Sequence, residues 1–146
     1  MAANARAKPS SPEARSRMQR VRQKNTSAES ALRRELYAQG LRYRIHVPVL
    51  IAPHRVAGIA IRGLRLAVFV DGCFWHGCPM HATWPRENAE FWRAKIMANR
   101  ARDLDTNARL RAAGWTVIRI WAHERPERAA ARIAAIVDRL RARRSA

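Results

Sequence analysis

Cys73, Cys78 and His81 lie within nine residues of one another, and His123 follows much later in the chain. Two soft thiolates and two imidazoles form a tetrahedral donor set suited to structural zinc. The spacing is not that of a zinc finger, so other readings stay open: a small disulfide, or two buried thiols with one surface histidine and one ordinary loop histidine. A bound metal would explain how an irregular stretch from Asp71 to Pro85 stays rigid. His76 stands in the same stretch between Trp75 and Gly77. An imidazole outside the metal shell can serve as a general base near neutral pH, although a lone loop histidine is more often structural.

Aromatic pairs flank this stretch, Phe74-Trp75 inside it and Phe91-Trp92 beyond it. The chain carries 29 Lys and Arg against 11 Asp and Glu, a net charge of +18. Only Lys8, Lys24 and Lys95 are lysines, so nearly all the positive charge is guanidinium, whose fork suits phosphate oxygens and base edges. Such a field favours a polyanion through counterion release, nucleic acid before an anionic membrane surface. Apolar wedges beside many cations are the equipment of proteins that distort DNA, and core packing is the competing use of the same rings. Trp115 and Trp121, on an apolar strand, are assigned to the core.

The 146 residues suffice for one domain with a small sheet and a few helices. No apolar signal core occurs between Met1 and Arg15 and no membrane-length apolar run follows, so a cytoplasmic protein is expected. Residues 1–25 are basic and poor in apolar side chains, which predicts a largely flexible, DNA-contacting segment, disordered at least to Pro12 and followed by a helix that orders on DNA. Residues 26–146 are expected to form the single domain.

Thr26 and Glu29 have capping-box spacing, and the Leu32/Leu36 stripe ends at Gly40, which predicts a helix over 28–39. Tyr43 to Val47 reads as a short strand and Pro48 to His54 as a loop. Val56–Ile61 and Leu66–Val70 read as a hairpin around Arg62–Arg65. A long helix is predicted over 87–113 with Phe91, Ile96, Leu104, Ala108 and Leu110 near one face, stopped by Gly114. Thr116–Trp121 should return to the sheet. A last helix over 126–142 should bury Ile133, Ile136, Val137 and Leu140. The order αβββαβα implies an α/β fold, a mixed sheet covered by helices.

The run DGCFWHGCP at Asp71–Pro79, then Phe91-Trp92, Lys95, and Gly114-Trp115 before a strand ending in Trp121, resembles the very short patch repair endonucleases. The likeness spans roughly Ser16 to Glu124. It implies a restriction-endonuclease-like core of the PD-(D/E)xK type. It also implies magnesium-dependent nicking 5′ of the thymine in T·G mismatches left by 5-methylcytosine deamination, with zinc serving structure. The implied zinc ligands are Cys73, Cys78, His81 and His123. The implied general base is His76, with Asp103 orienting it and Glu29 nearby. Phe74, Trp75 and Trp92 become wedges beside the mismatch, Met18 clamps the opposite groove, and Lys95 contacts DNA. The implied partners are mismatched double-stranded DNA and mismatch-repair proteins, with the chain acting as a monomer.

The family places a magnesium-binding aspartate on the strand before the DGCFWH segment, alongside a backbone carbonyl that is here Val70. The same interval in this chain reaches Gly58, and no carboxylate stands between Glu35 and Asp71. Glycine offers no side-chain oxygen and weakens a strand. A natural pseudo-enzyme, a substituted aspartate, and rescue by Asp71 or Glu29 are the three explanations, with rescue ranked last because metal sites tolerate little displacement. The expectation is mismatch binding with strongly reduced nicking. The competing classes are a non-catalytic mismatch-binding protein and, on charge alone, a zinc-bearing RNA binder.

Overall fold

The computed structural model describes residues 27–72 and 87–145. The capping box through Thr26 therefore lies partly outside the described residues, and the basic segment 1–25 wholly so. Helix α1 spans Ser27–Ala38, and Gly40 beyond it adopts φ 84°, a conformation that costs glycine little. Strands β1 (Arg44–Leu50), β2 (Arg55–Ile61) and β3 (Leu66–Asp71) follow. Helix α2 runs Ala89–Ala112, β4 is Thr116–Trp121, and α3 closes the fold over Pro126–Ser145.

The sheet order is β1-β2-β3-β4. The first three strands pair antiparallel and β4 pairs parallel to β3, so the sheet is mixed, as the element order implied. The β2–β3 connection is a short 3-10 turn, Arg62–Leu64, closed by Arg65 in the left-handed region and its N–H to Arg62 O. β1 runs past Val47 through Pro48, Val49 and Leu50, where a loop was expected. Pro48 is tolerated because, among the described residues, β1 is an edge strand of the sheet.

The sheet separates two apolar clusters. On one face Leu32 and Leu36 of α1 and Ala129, Ala130, Ile133 and Val137 of α3 pack on Ile59, Leu66, Val68, Ile118 and Ile120. On the other face Leu110 of α2 packs with Val47, Ala57, Ala60 and Ala67, and Phe69, Trp115 and Val117 lie against them. β3 and β4 alternate cleanly between the two clusters, as pleated strands must. β2 does not: Ala57 and Ala60 join one cluster and Ile59 and Ile61 the other. The period of two is broken next to Gly58.

The face of α2 that meets the sheet differs from the expected one. Trp92, Ile96, Asn99, Thr106 and Leu110 are buried, whereas Leu104 is 70% exposed and Phe91 37% exposed. The buried set keeps helical spacing but includes polar side chains, and each finds a partner. Thr106 Oγ1 accepts from Arg55 Nε at 3.0 Å and donates to Arg102 O at 2.8 Å, and Asn99 Oδ1 accepts from Arg102 Nη2 at 3.2 Å. A hydrogen-bonded polar stripe can replace an apolar one where the partners are in reach.

Candidate active site

Gly58 occupies the rung between the pairs Ile45↔Ile59 and Val47↔Ala57, so its neighbour across the strands is His46. His46 holds φ 48°, a left-handed conformation that is uncommon for a residue other than glycine and costs on the order of 1–3 kcal/mol. Onto the same rung α1 lowers Glu29. A Cβ placed on Gly58 would meet Glu29 Oε1 at 3.1 Å, Cδ at 3.2 Å and Oε2 at 3.3 Å. The carboxylate lies directly against the glycine, where a side chain at position 58 would begin. Glu29 is largely buried there, with His46 Nε2 at 3.6 Å from Oε1. A carboxylate from a different element thus packs close against β2 at the glycine.

Asp71 and Asp103 lie on the opposite face. Phe69 belongs to the α2-side cluster, and strand alternation sends Asp71 the same way. Arg119 of β4 unites this group. Its Nη1 donates to Asp71 Oδ1 at 2.9 Å and stands 3.6 Å from Asp103 Oδ1. Its Nε donates to Asn107 Oδ1 at 2.7 Å, and its guanidinium lies 4.4 Å over the Phe69 ring. Asp71 is buried, so this pairing supplies the countercharge that a desolvated carboxylate requires. Of the two carboxylates considered as substitutes for the missing aspartate, Asp71 is committed to Arg119 and Glu29 stands at Gly58.

The end of β4 is braced separately. Glu124 Oε2 accepts from the Trp121 N–H at 2.6 Å, and Glu124 Oε1 pairs with Arg132 of α3 at 3.2 Å. Asp71 pairs with Trp121, and the Ala122 N–H donates to Asp71 O at 2.9 Å. His123 follows two residues after Trp121, in the turn that leaves β4. It is exposed and stacks on Trp121 with ring centroids 6.5 Å apart. Trp121 and Trp115, expected in the core, are each only partly buried. Val70 is half-buried on β3 opposite Ile120.

Met18, Cys73, Phe74, Trp75, His76, Cys78 and His81 fall outside the described residues. At the start of α2, Trp92 is 7% exposed and touches Phe91 edge-on at 5.2 Å, so Phe91 is the more exposed ring of that pair. Lys95 is exposed on the same helix. Sequence reasoning missed two members of the site, His46 and Arg119. Arg119 could have been found as the one charge in the apolar strand TVIRIW. His46 needed the β1–β2 register, which no local pattern supplies.

Among the described residues no group of three His, Cys, Asp or Glu converges as a metal-holding cluster, and no helix is long and apolar enough to cross a membrane. The donors at Gly58 are a carboxylate and an imidazole. The carboxylate is compatible with a hard divalent cation, which is often held by one or two carboxylates and completed by water and phosphate. The imidazole is not a ligand that magnesium prefers.

A mixed sheet with carboxylates on both faces, in a strongly cationic chain, is the frame of an enzyme acting on nucleic acid. Residues 9–82, about half of the chain, match the family described as DNA mismatch endonuclease Vsr. Similar curated proteins are the type II nicking enzyme V.NaeI of Lentzea aerocolonigenes, 40% identical over 129 residues, covering 84% of this chain and 74% of that protein. The type II nicking enzyme V.XorIIP of Xanthomonas oryzae pv. oryzae is 41% identical over 112 residues, 71% of this chain and 75% of that one. V.NmeDIP of Neisseria meningitidis serogroup C is 37% identical over 120 residues, 77% and 76%. The chain belongs to the Vsr family of DNA mismatch endonucleases, and its class is that of a DNA endonuclease, a hydrolase.

Proposed function

We propose that the protein nicks double-stranded DNA 5′ of the thymine in T·G mismatches, and that with magnesium it does so far more slowly than relatives carrying an aspartate at the position of Gly58. The first half rests on family membership and on the name nicking enzyme borne by its relatives. The second rests on one observation: the rung at Gly58 presents a carboxylate borrowed from α1 beside an imidazole, in place of an aspartate on the strand itself.

A divalent cation at this rung supplies charge neutralisation at the scissile phosphate. Glu29 and the Val70 carbonyl are the oxygens of this chain that would hold it. His76 would take the proton from the attacking water, with Asp103 orienting it. In that role Asp103 is shared with Arg119, which withdraws part of its charge from the histidine. Cys73, Cys78, His81 and His123 would bind structural zinc. Phe74, Trp75, Trp92, Met18 and Lys95 would contact DNA. Phe91, the more exposed ring of its pair, joins the candidates for the wedge.

The test is a nicking assay on T·G and matched duplexes with magnesium, comparing the native chain with Gly58→Asp. The variant is expected to nick faster by at least about tenfold, a barrier change near 1.4 kcal/mol. Equal rates would overturn the claim of impairment, and no preference for the T·G duplex would overturn the substrate. A second reading, mismatch binding without cleavage, is favoured by the commitment of Asp71 to Arg119. It predicts tight T·G binding and unchanged DNA in magnesium.

A further inference from the structure

We propose that Glu29 and His46 together form a divalent-cation site over Gly58 whose nitrogen ligand selects a transition ion such as manganese over magnesium. The inference rests on the reading of this rung as the catalytic centre and specifies which ion serves it. Three independent features converge on one point. Position 58 lacks a Cβ, and one built there would stand only 3.1–3.3 Å from the Glu29 carboxylate atoms. The facing residue on β1 is a histidine rather than an aliphatic residue. Its backbone is held at φ 48°, and its Nε2 stands 3.6 Å from Glu29 Oε1.

That separation is too long for a hydrogen bond. It is close to the distance between two ligands of one ion. With bonds of about 2.1 Å, neighbouring ligands are about 3.0 Å apart in an octahedral shell and about 3.4 Å in a tetrahedral one. Rotation of either side chain by a few tenths of an ångström closes the difference. Magnesium takes oxygen and sheds water reluctantly, so it gains little from the imidazole. Manganese suits carboxylate oxygen as magnesium does, and as a softer transition ion that sheds water more easily it also takes an imidazole nitrogen. A strand aspartate at position 58 would crowd Glu29 and present a second carboxylate, an all-oxygen arrangement. The glycine thus does two things: it removes one oxygen ligand and makes room for a mixed oxygen and nitrogen pair.

The experiment follows binding without DNA. The full chain, with any bound zinc retained, is titrated with manganese and the free ion is read from its electron paramagnetic resonance signal. The native chain is expected to bind one manganese per chain, and magnesium at about a tenfold excess should fail to displace it. Glu29→Gln should abolish this binding and His46→Gly weaken it by about tenfold or more. Glycine suits the left-handed backbone at 46, so His46→Gly keeps the fold, checked by its thermal unfolding midpoint without added ion. Unchanged manganese affinity in His46→Gly, or equal competition by magnesium, would overturn the proposal. The nicking assay reports separately: manganese bound with the stated variant pattern and no nicking of a T·G duplex would sink the proposed function and leave the site standing.

Discussion

Arg119 Nη1 lies 2.9 Å from Asp71 Oδ1 across the parallel β3–β4 pair, on the face of the sheet that Glu29 does not reach. Asp71 is 6% exposed, and this guanidinium supplies a countercharge to its desolvated carboxylate. Removing one partner of a buried pair leaves a desolvated charge, which costs about 3–5 kcal/mol. Arg119→Leu is therefore expected to lower unfolding free energy in urea by that order. Arg119→Lys should recover part of it, because the charge is restored but the fork that also reaches Asn107 is not. A loss below about 1 kcal/mol in Arg119→Leu, the range of exposed pairs, would show that Asp71 is not held in this way.

Gly58→Asp brings a second carboxylate against Glu29. A Cβ alone would stand 3.1 Å from Glu29 Oε1, tighter than ordinary contact, so Glu29 must turn aside. Without a cation, two partly buried like charges repel and the unfolding midpoint should fall by a few degrees. Added divalent cation should raise that midpoint more in the variant than in the native chain, since binding to the folded state alone stabilises it. Identical midpoints with and without cation would refute the crowding.

The polar stripe of α2 has its own test. Thr106→Val keeps the shape but removes the acceptor for Arg55 Nε and the donor to Arg102 O. A buried polar group left unmatched costs about 1–3 kcal/mol, and the loss should appear as a lower urea midpoint with unchanged slope. A neutral Thr106→Val would mean that shape alone holds α2 to the sheet.

Zinc is tested by elemental analysis and chelation. One zinc per chain is expected, and its removal should broaden the unfolding transition and abolish preference for mismatched DNA, because binding energy of a structural ion is folding energy. His123→Ala should reduce zinc retention, because it removes one of the four expected ligands. Native zinc content well below one per chain would eliminate the Cys73, Cys78, His81 and His123 set.

The order of elements was legible because each carries its own local period. Leu32 and Leu36 before Gly40, the aliphatic run of β3, and TVIRIW after Gly114 each bury apolar atoms at the spacing their structure requires. Gly114 stops α2 with φ 89°, as its type suggested. The face of α2 was misread because its buried stripe includes Asn99 and Thr106, whose burial depends on arginines that reach them from β2 and from the helix itself. The end of β1 was misread because Pro48 signals a loop only where a strand is paired on both sides.

Alone, the amino-acid sequence determined the α/β order, the cationic surface, the family motif and the absence of an aspartate at position 58, all of which are properties of residue type and spacing. Tertiary structure decided what stands in that gap. Glu29 and Gly58 are separated by the rest of α1, the whole of β1 and the start of β2, and His46 meets them only through the β1–β2 register. Strand pairing and helix docking are long-range choices made by the whole core, so the partner of a missing side chain is visible only once the chain has closed around it.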